Sequence, residues 1–189
     1  LGIEPSQAAE KAKEKLINTI QTYFNDKSVE KILNLYKRPK IITATNVFAH
    51  IENPNKLVKQ ISKLMNKESV FVSESHYLCS LIKTLQYDTV YHEHLRYYHV
   101  GSLKKLFERH NLEIFHVKKI PTHGGSIRVY VSKKGIYKKT NQLKKILLEE
   151  ARMKINSNHL FDSFKKKIIR SKLKLIELLI EIKKKNKVI

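Results

Sequence analysis

The sequence predicts an α/β fold, with a sheet wrapped by helices over residues 1–132 and a helical pair over residues 133–186. Two observations carry this reading. Short apolar, β-branched runs alternate with helix-period segments as far as about Ser132. Beyond Gly135 the apolar residues take helical spacing: Leu143, Ile146, Leu147, Ala151 and Ile155 form one stripe, and Phe161, Ile168, Leu175 and Ile182 recur every seven residues. Phe164 and Leu178 fill intervening positions and Ser171 breaks the row.

Taken in order, Ile3 ends a first strand, and a helix capped by Ser6 runs to about Lys15. A short strand near Ile17 to Gln21 precedes a helix from about Ser28 to Leu35, and Pro39 stops its continuation. Ile41-Ile42-Thr43-Ala44-Thr45 reads as a buried parallel strand. Asn53-Pro54 opens a helix with Leu57, Val58, Ile61, Leu64 and Met65 on one face. Ser69 to Glu74 is the next strand, followed by a helix around Leu78 to Leu85. Tyr87 to His99 has neither periodicity, as expected of a functional loop. A helix from about Ser102 to His110 then leads to strands Leu112–Ile120 and Ser126–Ser132, an antiparallel edge joined by a turn.

The net charge of +21 suggests a polyanion partner until it is dissected. Of the basic residues, 32 are lysine and 6 arginine, whereas phosphate and base-edge sites favour arginine forks. Thirteen of the net charges fall between Lys133 and Lys187, on solvated helix faces. The reading is therefore no nucleic acid, with a basic nucleic-acid-binding or interaction fragment kept as the alternative. No apolar run reaches the length of a membrane span. The single cysteine, Cys79, excludes an internal disulfide and fits a reducing, cytoplasmic setting.

Three groups of residues could carry chemistry. Glu4, at the end of a strand, stands where a carboxylate holds the ribose of nucleotide-type cofactors, although an ordinary surface glutamate reads the same way. Asn46-Val47-Phe48-Ala49-His50 follows a parallel strand, at the carboxyl end where ligands bind in doubly wound sheets; His50 alone would equally be structural. The densest group is Tyr91-His92-Glu93-His94 with Tyr97, Tyr98 and His99, which can supply a base, a carboxylate and donors for a developing oxyanion. Metal is not expected there, because the HxxxH spacing is absent and strand-like alternation would put His92 and His94 opposite Tyr91 and Glu93. Thr122-His123-Gly124-Gly125-Ser126-Ile127-Arg128 combines glycines that permit close approach with groups suited to sugar or phosphate, and a plain hairpin turn is the competing reading.

With these residues in view, the chain resembles the nucleotide-sugar C-methyltransferases that act at C3 of 4-keto-deoxysugars. The stretches that carry the resemblance are Gly2-Ile3-Glu4-Pro5-Ser6, Asn46-Val47-Phe48-Ala49-His50-Ile51, Tyr87 to His94 and Thr122 to Tyr130, in the family's order. Ser75-His76 departs from the family, which tends to have a proline there. The resemblance implies a partial Rossmann-like class I methyltransferase sheet within a chain roughly twice as long. That longer chain would add an N-terminal zinc module, a glycine-rich SAM motif and a C-terminal Rossmann-like domain whose first strand opens at Lys187-Val188-Ile189. It implies S-adenosyl-L-methionine (SAM) as cofactor, zinc only in the missing module, and a nucleotide-linked keto-deoxysugar as partner. His94 would be the base, with Tyr91, Glu93 and His50 beside it. Glu4, Phe24 and Asn46 would hold the cofactor. Tyr97, His123, Gly124, Gly125, Ser126 and Arg128 would line the sugar. Methyl transfer to oxygen or nitrogen is the alternative within the same chemistry.

Overall fold

The computed structural model describes residues 1–185, so the strand expected at Lys187-Val188-Ile189 lies outside the described residues. At its start β1 (Gly2–Ile3) pairs in parallel with β2 (Thr19–Ile20), and α1 (Ala8–Glu14) connects them. Ser6 stands one residue before the N-cap, Gln7, and its hydroxyl accepts from the Ala8 N–H at 3.2 Å. The next helix, α2 (Asp26–Leu35), begins two residues before the expected Ser28. The reason is a reciprocal cap: Asn25 accepts from the Ser28 N–H at 3.0 Å, and the Ser28 hydroxyl accepts from the Asn25 N–H at 2.9 Å.

The main sheet has four strands, β3 (Ile41–Thr45), β4 (Val70–His76), β5 (Leu112–Ile120) and β6 (Ser126–Lys133), in the order β3-β4-β6-β5. β3 and β4 are parallel; β6 is antiparallel to both β4 and β5, as the turn between the last two strands predicts. Between these strands run α3 (Pro54–Leu64), α4 (Leu78–Thr84) and α5 (Val100–Glu108). The β3 expectation needs correcting. The strand is parallel but not buried, with Ile41 68% exposed, because it forms the edge of the four-stranded sheet. Between it and β1 lies a cavity of about 460 Å³, lined by Leu1, Ile3, Phe24, Ile41, Thr43 and Leu64 among others.

The core is centred on three phenylalanine rings, Phe48, Phe71 and Phe107, whose centroids lie 5.9–6.0 Å apart. Such pairs add about 0.5–1.5 kcal/mol each beyond area burial. Phe48 belongs to a single helical turn, Phe48–His50, directly after β3. Burying Phe48 therefore fixes that turn, and Asn46 and His50 on either side of it are held at the surface.

Helix α6 (Asn141–Met153) packs on β5 and α5, burying Leu143 and Ile146. Helix α7 (Asn158–Lys184) buries none of its residues fully, and Phe161 and Leu175 of the expected seven-residue row are 42% and 52% exposed. What fastens α6 is a carboxylate. Glu150 is 4% exposed and accepts from Tyr77 Oη at 2.9 Å, His99 Nδ1 at 2.9 Å, and the N–H groups of Val100 at 2.6 Å and Gly101 at 2.9 Å. The last two are free donors at the start of α5, whose partial positive charge favours an anion.

Burial alone would raise the Glu150 pKa, but the hydrogen bonds from His99, Gly101 and Val100 outweigh it and hold the group below its ordinary 4.5. A lowered folded value means that the carboxylate stabilises the fold fully above the unfolded value and loses that contribution as pH falls through the folded one. Urea unfolding of Glu150→Ala should show a loss of about 3–5 kcal/mol at neutral pH, since four buried donors lose their acceptor. The gap between wild type and variant should narrow below about pH 4.

Candidate active site

The polar residues singled out in the sequence gather at one rim of the sheet, where β3 and β4 end and β6 begins. Four anchors hold the 87–99 segment against this rim. The Leu95 N–H donates to the Ala49 carbonyl at 2.9 Å, and Arg96 donates to the carbonyls of Ile51 and Glu52 at 2.5 and 2.8 Å. A bridge between Tyr77 and Tyr98 ties its end to β4's extension. The buried Tyr98 hydroxyl donates to the Phe48 carbonyl at 3.2 Å.

Within this segment the expected strand-like alternation is wrong. The His94 N–H donates to the Tyr91 carbonyl at 3.1 Å, which closes a turn and brings both side chains to one side, with ring centroids 4.4 Å apart. His94 Nδ1 lies 2.9 Å from the Thr89 carbonyl, which can only accept, so Nδ1 carries the proton and Nε2 keeps a free lone pair. Tyr91 Oη stands 3.3 Å from that Nε2. The same logic applies to His50, whose Nδ1 donates to the Glu93 carbonyl at 2.9 Å and leaves Nε2 as the open nitrogen. The His50 and His94 rings are 5.2 Å apart. Two imidazoles, each with its tautomer set by a backbone carbonyl, thus stand beside a phenol.

Tyr97 Oη donates to the Thr89 carbonyl at 2.8 Å, so Thr89 orients both Tyr97 and His94. Burial pushes the Tyr97 phenol up, which keeps it protonated. Glu93 is exposed, and its backbone rather than its carboxylate makes the contact to His50.

The 122–125 turn faces the same rim. Its centre, His123, has left-handed backbone (φ 53°), and His123 Nε2 lies 3.4 Å from Asn46 Nδ2. Gly124 and Gly125 have φ of 69° and 124°, and a Cβ on Gly125 would come within 2.5 Å of the Ser80 hydroxyl, so the glycines are sterically required. Ser126 is buried and its hydroxyl donates to the Thr122 carbonyl at 3.1 Å, so it shapes the turn from inside. Arg128 donates from Nε to Glu74 at 2.9 Å.

Glu4 directly follows β1, and one of its oxygens accepts from the Ser6 N–H at 2.9 Å and Ser6 Oγ at 2.6 Å. These bonds hold the carboxyl below its ordinary value. Phe24 is half-buried and lines the cavity beside β1. Glu4 after β1, the Phe24 ring and the Asn46 amide after β3 are group types that suit a nucleoside-type cofactor, although no hydrogen bond links the three.

Four contributors went unnoticed in the sequence. Glu74, Gln86, Thr89 and Glu150 all act by holding another residue, and Gln86 does so by accepting from His76 Nε2 at 2.9 Å and donating to the Gly124 carbonyl at 2.8 Å. A lone acid ending an apolar strand was the visible signal for Glu74; the others carried none. Among the described residues, no group of three or more His, Cys, Asp or Glu side chains could hold a metal ion, and no helix is long and apolar enough to cross a membrane.

The chain is 32% identical over 133 residues to the C-methyltransferase NovU of Streptomyces niveus, which covers 70% of this chain and 32% of that protein. The chain thus spans about a third of the length of the curated relative it matches. Its fold is similar to a SAM-dependent methyltransferase of Thermotoga maritima, a possible histamine N-methyltransferase, with TM-score 0.55 and 14% identity, covering 70% of this chain and 72% of that one. A SAM-dependent methyltransferase of Clostridium acetobutylicum ATCC 824 gives TM-score 0.51 and 16% identity, covering 70% and 74%. Both share the α/β arrangement of this chain. Residues 121–189 match the C-methyltransferase C-terminal domain family. Residues 1–117, well over half of the chain, match the methyltransferase domain family, and to that family the chain belongs.

Proposed function

We propose that this chain is the substrate-facing part of a SAM-dependent C-methyltransferase acting on the carbon beside the ketone of a nucleotide-linked 4-keto-deoxysugar. The observation that carries it is His94: one nitrogen is committed to the Thr89 carbonyl, and the other is exposed as a proton acceptor beside Tyr91 and His50. A carbon beside a ketone has no nucleophilic electron pair until its C–H proton is removed, whereas oxygen and nitrogen carry a lone pair before they lose theirs. A positioned base is therefore indispensable to carbon methylation, and the site supplies one.

On this reading His94 Nε2 takes the proton from the carbon next to the ketone; the C–H electron pair becomes the enolate C=C bond, and the carbonyl π pair moves onto the ketone oxygen. Tyr91 Oη donates to the enolate oxygen, His50 Nε2 accepts from a sugar hydroxyl and so orients the ring, and the Glu93 carboxylate holds another sugar hydroxyl. Thr89 supports the change by accepting the Nδ1–H bond, which strengthens as the ring becomes positive. SAM, when bound, supplies the methyl group that the nucleophilic carbon takes up. Glu4 would receive its ribose hydroxyls, Phe24 would flank its adenine, and Asn46 would line its methionine end. Tyr97, His123, Gly124, Gly125, Ser126 and Arg128 would form or shape the sugar side. The zinc module, the glycine-rich motif and the second Rossmann-like domain belong to a longer protein in this reading, and a cytoplasmic location goes with it.

In the full-length protein, His94→Ala should lower methyl transfer about 10²- to 10⁴-fold while SAM still binds. Transfer near the wild-type rate would overturn the base assignment. Glu4→Ala should weaken SAM binding about 10- to 100-fold by titration calorimetry, the cost of hydrogen bonds to a charged group. NMR of the product should place the new methyl on carbon; a methyl on oxygen or nitrogen would sink the proposal.

A further inference from the structure

Glu74 connects three of the segments that meet at the rim. It is 6% exposed, near the carboxyl end of β4. Its Oε2 accepts from Arg128 Nε at 2.9 Å and Nη2 at 2.7 Å, and its Oε1 accepts from Thr122 Oγ1 at 3.2 Å. Its backbone carbonyl accepts from the Asn46 N–H at 2.9 Å. One residue thereby touches the end of β3, the 122–125 turn and the start of β6.

The pattern of backbone strain indicates what this hub is for. Among the described residues, six non-glycine residues have positive φ. Four of them, Leu16, Leu85, Asn111 and Lys154, end or closely follow helices, where left-handed backbone is the ordinary way to stop. The other two, Asn46 at φ 56° and His123 at φ 53°, end no α-helix, and their side chains meet at 3.4 Å. Such conformations cost about 1–3 kcal/mol each and persist only where the surroundings over-determine them. Glu74 contacts the backbone of Asn46 and the hydroxyl of Thr122, the immediate neighbour of His123.

We propose that Glu74 is a positioning residue: its carboxylate, by holding Thr122 and Arg128, sets the 122–125 turn so that His123 meets Asn46 at the boundary between the cofactor and sugar sides. Arg128 then serves the turn through Glu74 rather than acting as a free phosphate fork. Asn46 Nδ2 donates to His123 Nε2, so the neutral ring carries its proton on Nδ1 and can present that donor to a sugar oxygen. The sugar contact rests on the function proposed above; the placement of His123 does not.

Two measurements separate the inference from that function. In the 189-residue chain, ¹⁵N NMR of His123 should report the Nδ1–H tautomer. Glu74→Gln, and more weakly Thr122→Val, should shift its ring signals while the His94 signals stay in place. Thr122→Val removes one hydrogen bond at an exposed residue, so it tests the inference even if Glu74→Gln fails to fold. Unchanged His123 signals in a folded variant would overturn the placement.

In the full-length protein, Glu74→Gln should raise KM for the keto-sugar about tenfold, with KM for SAM within about twofold. The double variant with His123→Ala should lose no more than His123→Ala alone, because both act through one group. Additive losses would refute action through His123. A wild-type protein that methylates no keto-sugar would refute the function and leave the NMR result standing.

Discussion

A carboxylate removed from water must be met by donors, and Glu150 meets four, from a tyrosine, a histidine and two backbone N–H groups at the head of a helix. That single anion joins three parts that are far apart in sequence. It docks α6 on α5, sets where α5 begins, and through Tyr77 reaches the end of β4. Since α5 begins where the 87–99 segment ends, the segment bearing Tyr91 and His94 is fixed at its far end by a residue of the C-terminal helices. Chemistry at the rim and the docking of those helices are therefore not independent.

The same device recurs on a smaller scale around the rim. Thr89 offers one carbonyl to His94 and Tyr97, Glu93 offers its own to His50, and Glu74 holds Thr122 and Arg128. Each outward-facing group is set by an inward-facing partner, which is how a site on loops acquires the precision of one on strands. The Phe48, Phe71 and Phe107 cluster does the equivalent with apolar contact, since burying Phe48 leaves Asn46 and His50 little freedom.

Strands were the most legible part of the chain. Ile41–Thr45 and Leu112–Ile120 could be read to the residue, because β-branched runs are bounded by Pro39 and Asn46 in one case and by Asn111 and Pro121 in the other. Exposure was less legible than conformation: Ile41 looks like a core residue, and only the strand order reveals that it stands at an edge. The helix start at Asp26 was misread because serine serves equally at the cap and three residues inside it. In the candidate site the residue types were visible and their arrangement was not. Alternation separated Tyr91 from His94, whereas a turn closed by the Tyr91 carbonyl brings them together. Glu150 gave no sign, because a glutamate on a lysine-rich helix looks solvated until its face is known.

The cavity between β1 and β3 has a consequence for how the chain behaves in solution. Its opposite walls are strand edges that pair with nothing across the gap among the described residues, and apolar side chains line the space between. An open seam of that kind is adhesive, able to template an extended segment from any chain that comes near. Against it stands the net charge of +21, which makes two copies repel before their seams can meet. Salt screens that repulsion, so the tendency of copies to meet at the seam grows with ionic strength.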